Sequence, residues 1–256
     1  VNNGDQQTIT ITFGEAVTGT PTIALSGAET VSATGMTDSG DQTTWTYNDG
    51  TTHTGDGTVT VTVGTATDSV GNTVNSTPSS NTFTIDNTAP TPTITSSNGS
   101  SGDTTNADPI NFSISFNESV TGFASGDITV TGTGSPGSVT SFSGSGPYTF
   151  TIAPGADGTV IINVSGSVAI DGVGNNNSAA SQFTITSDTT GPTSSASYTA
   201  NTVNNGDAQT ITVTFGEAVT GTPTIALSGA KTVSATSMSG LGDTWTYAAG
   251  TTWTGD

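Results

Sequence analysis

The segment TITITFGEAVTG at residues 8–19 contains the pattern that decides the fold. Ile9, Ile11 and Phe13 alternate with threonines, so one side of the segment is apolar and the other polar, which is typical of a half-buried β-strand. The two glycines of GEAVTG indicate a turn directly after that strand. Nearly the same segment, TITVTFGEAVTG, recurs at residues 210–221. The sequence therefore predicts a β-domain that is repeated along the chain.

The spacing of the copies gives the length of the repeat. The stretch that begins at Val1 returns almost unchanged at Val203, and a weaker copy lies between them. In that weaker copy, Glu118 of FNESVTG occupies the position of Glu15 in FGEAVTG. The chain therefore reads as three copies of a unit of about 100 residues, a length typical of a small β-sandwich.

These copies predict three domains. They are repeat A at residues 1–90, repeat B at 91–191 and repeat A′ at 192–256. Repeat A is expected to lack a first strand like the one at residues 92–95 of repeat B, and repeat A′ is expected to be incomplete and to lack its last strands. We expect the sequence to be part of a longer array, or to have its ends completed by neighbouring chains.

Each repeat contains about seven short alternating segments, separated by Gly, Asn, Asp and Pro and without any helical periodicity. This arrangement predicts an all-β protein, built as tandem immunoglobulin-like seven-stranded β-sandwich domains in a linear array. Trp45 and Trp245 occupy matching positions in alternating segments and are candidate core residues. The chain has no cysteine, so no disulfide can join the two sheets.

The composition excludes several classes of function. Twenty acidic residues face a single lysine and no arginine, which gives a net charge of −19. Such a chain is unsuited to nucleic acids and to anionic membranes, both of which bind cationic surfaces. No apolar run is long enough for a membrane span, and the usual catalytic motifs are missing, so we expect neither membrane insertion nor enzymatic activity.

Three motifs carry a family resemblance: FGEAVTG, the DxxGN loop and the DNTAP junction. Together they resemble the tandem Ig-like repeats of large bacterial surface adhesins and biofilm-associated proteins, over essentially the whole chain. The resemblance implies a secreted, extracellular stalk or extender at the cell surface, often with calcium at the domain junctions. The expected partners are neighbouring repeats of the same or an adjacent chain, and any glycan or cell-surface ligand is expected to lie outside this sequence.

Topology gives an independent reason to expect a metal between repeats A and B. Glu118 and Asp171 each follow a strand of repeat B, at the end of the sandwich where the chain enters, and Asp86 lies on the entering linker. Carboxylates about 4 Å apart repel by roughly 4 kcal/mol at an effective dielectric constant of about 20. With so few cationic side chains available, a calcium ion is the expected neutralising group, because it prefers oxygen ligands.

The same mapping gives candidate ligands at all three junctions. They are Asp86, Asn87, Glu118, Asp127, Asp171 and Asn175 between repeats A and B; Asp188 and Glu217 between repeats B and A′; and Glu15, Asp68 and Asn72 before repeat A. A second interpretation is that these residues are solvated and cap turns, as aspartates in loops often do.

Two other functions stay open on the sequence alone. The chain could be a self-assembling filament or surface-layer subunit completed by strand exchange, or a carbohydrate-binding module. The second needs an exposed aromatic platform, for which Trp253 is the candidate. His53, the only histidine, is replaced by Trp253 in repeat A′, so we expect His53 to be a structural, semi-exposed residue at a strand end.

Overall fold

The computed structural model describes residues 1–74 and 77–253, so residues 254–256 at the predicted end of repeat A′ lie outside the described part. The chain divides into two compact units, Val1–Asp188 and Thr189–Asp256. Strands dominate both units, and a 3-10 turn at Ser125–Asp127 is the only helical element among the described residues. No helix in these ranges is both long and apolar enough to cross a membrane.

Repeat A is a two-sheet sandwich. Its strands are β1 (Gln7–Thr12), β2 (Thr22–Gly27), β3 (Val31–Gly35), β4 (Thr37–Asp38), β5 (Thr44–Gly50), β6 (Gly57–Val63) and β7 (Thr82–Ile85). One sheet has the order β1-β5-β4 and the other has the order β3-β2-β6-β7. Ile11 pairs with Trp45 across the first sheet, and the inner faces of both sheets contribute to one buried cluster.

Repeat B has the same architecture. Its strands are β8 (Pro92–Ser96), β9 (Thr104–Thr105), β10 (Ile110–Phe116), β11 (Ile128–Thr131), β12 (Thr140–Ser143), β13 (Tyr148–Ile152), β14 (Gly158–Val164) and β15 (Phe183–Ser187). The sheet orders are β12-β13-β10-β8 and β11-β14-β15-β9. The two-residue strand β9 pairs in parallel with β15 and supplements the seven strands expected from the sequence.

The core of repeat B is aromatic. Phe112 stacks on Phe150 with ring centroids 5.4 Å apart, and the edge of Phe183 meets Phe112 at 5.8 Å. Alternate residues of strands β10 and β14 pack into the same cluster, because the two-residue period of a strand turns every second side chain inward. The predicted all-β, immunoglobulin-like sandwich fold is confirmed.

The second unit has two sheets of its own. Its strands are β16 (Ser194–Tyr198), β17 (Gln209–Phe215), β18 (Thr224–Leu227), β19 (Val233–Ser237), β20 (Ser239–Leu241) and β21 (Thr244–Gly250). Strands β16-β17-β21-β20 form one sheet and β18-β19 the other. Trp245 on β21 and its counterpart Trp45 on β5 are both buried, as predicted. Each indole N–H donates to a backbone carbonyl three residues earlier, which satisfies its only polar atom.

The prediction for His53 is wrong. Its side chain is completely buried instead of semi-exposed. Burial is possible because both ring nitrogens have partners: Nδ1 lies 2.8 Å from Oε2 of Glu29, and Nε2 lies 3.1 Å from the carbonyl oxygen of Asp5. The alternation of the neighbouring strand could not show this, because Glu29 and Asp5 come from distant parts of the chain.

Candidate metal centre

Two loops of repeat B are joined at the end of the sandwich that faces repeat A. Thr121 and Ile170 exchange a pair of backbone hydrogen bonds, with N–O distances of 2.7 and 3.0 Å. Glu118 lies in the first of these loops, after β10, and Asp171 lies in the second, after β14. The paired backbone therefore holds the two acidic residues side by side.

The linker from repeat A supplies a third acidic residue to the same place. Asp86 follows β7 directly, and its carboxylate lies with those of Glu118 and Asp171 such that one oxygen of each is within 4.8 Å of the others. The structure therefore brings together the three carboxylates that strand order placed at this junction. Binding of calcium to them stays a prediction.

Asp171 is held by its own loop. The side chain is only 5% exposed, and its Oδ1 accepts backbone hydrogen bonds from Val173, Gly174 and Asn175 at 2.7–2.9 Å. Burial opposes ionisation of Asp171, but these bonds and one from the Asn175 side chain outweigh it and lower its pKa. The DGVGN sequence thus forms a tight turn around an ionised carboxylate.

Asn175 connects the linker to this turn. Its Nδ2 donates to Oδ2 of Asp171 and to the backbone carbonyl of Asp86, both at 2.8 Å. Its Oδ1 accepts a hydrogen bond of 3.2 Å from Nδ2 of Asn2, which also donates to the carbonyl of Val173 at 3.0 Å. Asn175 turns its nitrogen, not its oxygen, toward the two aspartates, so it positions the Asp171 carboxylate and the linker backbone at Asp86.

Glu118 is the member of the cluster whose carboxylate is least well stabilised. Its Oε1 is shut off from water and has no hydrogen-bond partner. Burial, followed by the charges of Asp171 and Asp86, raises the pKa of Glu118. A buried oxygen without a partner is uncommon in a folded protein, and a bound cation would satisfy this one.

Two other candidates at this junction do not join the cluster. Asn87 is turned toward repeat A, where its Nδ2 donates to the carbonyls of His53 and Gly55 at 2.8 and 3.0 Å. Asp127 accepts a 2.8 Å hydrogen bond at Oδ2 from the backbone N–H of Ala124 and caps its own short turn. Both residues are engaged in local structure, as the turn-capping interpretation expects.

In repeat A, Glu15, Asp68 and Asn72 line an open cleft of about 580 Å³. Asp68 accepts hydrogen bonds from the side chain and the backbone of Asn72, and both lower its pKa. The local turn is therefore the same as at Asp171. No third acidic residue joins Glu15 and Asp68 in a close group within the described part of the chain.

The remaining candidates lie in different units. Asp188 ends the first unit, where its backbone N–H donates to Thr105 at 2.9 Å, and Glu217 is exposed in the second unit. Calcium binding by either residue stays a prediction. In the second unit, the Lys231 ammonium lies 4.5 Å from the ring centroid of Trp253 and covers one face of the candidate sugar platform.

Sequence reasoning missed a second group of ligand-bearing side chains. Glu29, Asp49 and His53 also place one ligand atom each within 4.8 Å of one another. They come from two parts of repeat A, the turn after β2 and the end of β5, and match no recognised motif. The available signal was their joint replacement in repeat A′, where lysine, alanine and tryptophan stand at the equivalent positions.

Comparison with known proteins gives one family match. Residues 86–186 match the model of the bacterial Ig-like domain, so the matched segment includes the linker carboxylate as well as most of repeat B. Among curated proteins, none matches the chain. A solved structure of FdeC, described as a broadly conserved Escherichia coli adhesin, is 19% identical over 97% of this chain and 85% of its own, with a TM-score of 0.47.

Proposed function

Because residues 86–186 form a bacterial Ig-like domain, we propose that the chain is a structural segment of an adhesin-type bacterial surface protein, stiffened by calcium between its first two repeats. Its role is to project or space other parts of the protein outside the cell. The observation that supports the calcium is the meeting of Asp86, Glu118 and Asp171, with one oxygen of Glu118 buried and unpaired.

The ligand chemistry favours calcium over other cations. All three side chains offer carboxylate oxygens, and hard oxygen donors in a flexible arrangement are what calcium binds. Lys231, the only lysine of a chain without arginine, already donates to the backbone carbonyls of Ala249 and Thr252. Repulsion among the three carboxylates is therefore relieved either by a proton, which the raised pKa of Glu118 favours, or by a metal ion.

A cation at this point would act mechanically. Asp86 belongs to the linker, whereas Glu118 and Asp171 belong to the body of repeat B, so one ion binding all three fastens the linker to the domain that follows it. Hydrogen bonds from Asn2 to Val173 and Asn175 already join repeat A to the same loop. Calcium would reinforce these contacts and restrict bending between the repeats.

The composition is consistent with a surface location. A chain with one lysine and no arginine offers a trypsin-like protease a single cleavage site. Its net charge of −19 makes neighbouring copies repel one another until salt or divalent cations screen them. No part of the described structure suggests catalysis, and we propose a non-enzymatic role.

The proposal is tested on the whole chain by calorimetry and by residual dipolar couplings, in calcium and in chelator. We expect calcium to raise the unfolding temperature of repeat B and to give repeats A and B a common alignment tensor. Asp86→Asn should abolish both effects, while Glu15→Gln, which removes the same charge from an exposed site, should leave them unchanged. Equal unfolding temperatures and independent tensors with and without calcium would refute the proposal.

A further inference from the structure

The second ligand-bearing group lies inside repeat A, and it differs in chemistry from the carboxylate cluster at the linker. Glu29 lies in the turn between β2 and β3, Asp49 lies on β5, and His53 follows β5. One ligand atom from each lies within 4.8 Å of the other two. His53 is fully buried, and the Glu29 side chain is 18% exposed.

The hydrogen bonds of His53 fix which ring nitrogen carries a proton. Nε2 lies 3.1 Å from the backbone carbonyl of Asp5, which can only accept, so Nε2 must be the protonated donor. In the neutral ring, Nδ1 then has a free lone pair, and this atom faces Oε2 of Glu29 at 2.8 Å. Two acceptors at that distance need a positive species beside them, either a proton or a metal ion.

Repeat A′ supports this assignment of the ring. Trp253 stands at the position of His53, and its indole N–H donates at 2.9 Å to the carbonyl of Asp207, the counterpart of Asp5. Both repeats therefore use an aromatic N–H at this position to bind the same backbone carbonyl. A histidine whose second nitrogen is fixed in this way is typical of metal ligands.

The Asp49 carboxylate gives independent support for a missing cation. Both of its carboxylate oxygens are buried, and neither accepts a hydrogen bond. The Tyr47 hydroxyl lies near this carboxylate and favours its charged form. Burial and then the charge of Glu29 raise the pKa of Asp49. The two buried carboxylate oxygens of Asp49 and the Nδ1 lone pair of His53 can all bind a cation, and none is provided by the neighbouring side chains.

The corresponding place in repeat A′ holds a covalently attached cation. Lys231 replaces Glu29, Ala249 replaces Asp49, and Trp253 replaces His53. The Lys231 ammonium donates to the carbonyl of Ala249 and, at 2.9 Å, to that of Thr252, while lying against the ring of Trp253. The only lysine of the chain thus supplies a positive charge where repeat A has two carboxylates and a histidine.

We propose that Nδ1 of His53 and the carboxylates of Glu29 and Asp49 bind a divalent transition-metal ion of the zinc class in repeat A. An imidazole ligand favours zinc over calcium, which binds oxygen donors. Tetrahedral zinc, with bonds of about 2.1 Å, separates its ligand atoms by about 3.4 Å. That separation lies between the 2.8 Å from Nδ1 to Oε2 of Glu29 and the 4.8 Å that bounds the whole group. Water completes the fourth position.

This site is separate from the proposed calcium site and does not depend on it. It would fasten the turn between β2 and β3 to the end of β5, within one repeat. It would also fix the segment around His53, whose backbone N–H donates to Oδ1 of Asn3 and whose carbonyl accepts from Asn87. Repeat A would then gain from a bound metal what repeat A′ gains from Lys231.

The test uses the untagged whole chain, because a polyhistidine tag would itself bind zinc. Zinc chloride is titrated at neutral pH with calcium in excess, and binding is followed by calorimetry and by the imidazole nitrogen signals in the NMR spectrum. His53 is the only histidine, so these signals are unambiguous. We expect one zinc ion per chain, with the shift confined to Nδ1 and Nε2 still protonated.

Two variants separate binding from folding. The triple variant Glu29→Lys, Asp49→Ala, His53→Trp gives repeat A the residues that repeat A′ already has, and it should fold but lose the zinc site. Asp49→Asn should lower zinc affinity at least about 10–100-fold, the range seen when only the residues supporting a ligand are changed. Glu15→Gln should bind zinc like the unchanged chain.

The proposal is overturned if zinc leaves the imidazole signals unchanged. It is also overturned if His53 is already doubly protonated at neutral pH, since the proton would then be the missing positive charge. Zinc binding that persists unchanged in the folded triple variant would likewise rule out these ligands.

Discussion

Repeats A and B carry the same two acidic loops in different surroundings. In repeat B, Asp171 is buried, Glu118 has an unpaired oxygen, and Asp86 joins them from the linker. In repeat A, Glu15 is exposed, and its partner Asp68 lines an open cleft with it. What distinguishes the cluster of repeat B is the linker: the loops after β10 and β14 supply two carboxylates, and Asp86 supplies the third.

The interiors of the two repeats differ as well. All the close ring pairs within the described residues belong to repeat B, where Phe112, Phe150 and Phe183 form its centre. The position of Phe112 is taken by Ile9 in repeat A, and the main aromatic side chain of that core is Trp45. The same fold is therefore stabilised by two different sets of contacts, and each repeat can be perturbed separately.

The largest effect is expected from Phe112→Ala. Loss of a buried phenylalanine that is stacked at 5.4 Å on another ring should destabilise repeat B by about 3–5 kcal/mol. The matched change Ile9→Ala should destabilise repeat A by about 2 kcal/mol, the lower end of the range for such truncations, because Ile9 is more exposed than Phe112. Calorimetry of both variants measures the two transitions.

The response to calcium gives a second measurement on the same two variants. Both loops of the carboxylate cluster belong to repeat B, so Phe112→Ala should also weaken calcium-dependent stabilisation, whereas Ile9→Ala should preserve it. If Ile9→Ala abolished the response while Phe112→Ala left it intact, repeat A and not repeat B would hold the ion.

A smaller effect is expected when the matching aspartates of the DxxGN loops are changed. Asp171→Asn keeps the shape of the side chain but sets an amide nitrogen against the Nδ2 donor of Asn175, at a buried position. We expect a loss of about 1–3 kcal/mol together with the calcium response. Asp68→Asn makes the same change at a position open to water and should cost much less.

The stability cost of Asp171→Asn should change with pH in a definite direction. The pKa of Asp171 is lower in the folded protein than its ordinary value, so its ionised form stabilises the fold above the ordinary carboxyl range. That contribution is lost as the pH falls through the folded pKa. Urea unfolding should therefore show the cost of Asp171→Asn at neutral pH and a shrinking cost in acid. A constant difference across this range would show that the hydrogen bonds do not depend on the charge.

Much of this comparison could be predicted from the sequence. The two-residue alternation in segments such as TITITF determines which side chains face inward, and strand order alone places Glu118 and Asp171 at one end of the sandwich. The direction of the Asn175 amide and the turning of Asn87 toward repeat A could not be predicted. Both depend on the angle at which the linker leaves β7, which no local pattern contains.

The group of Glu29, Asp49 and His53 illustrates a different limit. The replacement of His53 by Trp253 in repeat A′ suggested an unimportant position, since a ligand is expected to recur. Only the structure shows that Lys231 contacts both Ala249 and Trp253, so that the three replacements surround one point. Covariation between the copies was visible in the sequence, but its meaning required the contact.

The smallest effect on stability is expected from Glu118→Gln, and its sign should differ between chelator and calcium. Burial and the charges of Asp171 and Asp86 raise the pKa of Glu118, so the folded protein favours the protonated form, and stability is lost as the pH rises through that raised value. In chelator at neutral pH, the neutral glutamine should therefore stabilise repeat B, by less than about 1 kcal/mol because the side chain is partly open to solvent.

In calcium, the same substitution removes a charged ligand and should make repeat B less stable than the unchanged domain. Glu15→Gln, at the exposed matching position, should change stability little in either condition. Thermal unfolding of the three proteins in calcium and in chelator gives the comparison directly. If Glu118→Gln shifted stability in the same direction in both conditions, Glu118 would contribute only through its contacts, and the carboxylates would coexist without an ion. The reversal can arise only if the repulsion in repeat B is what a bound cation relieves.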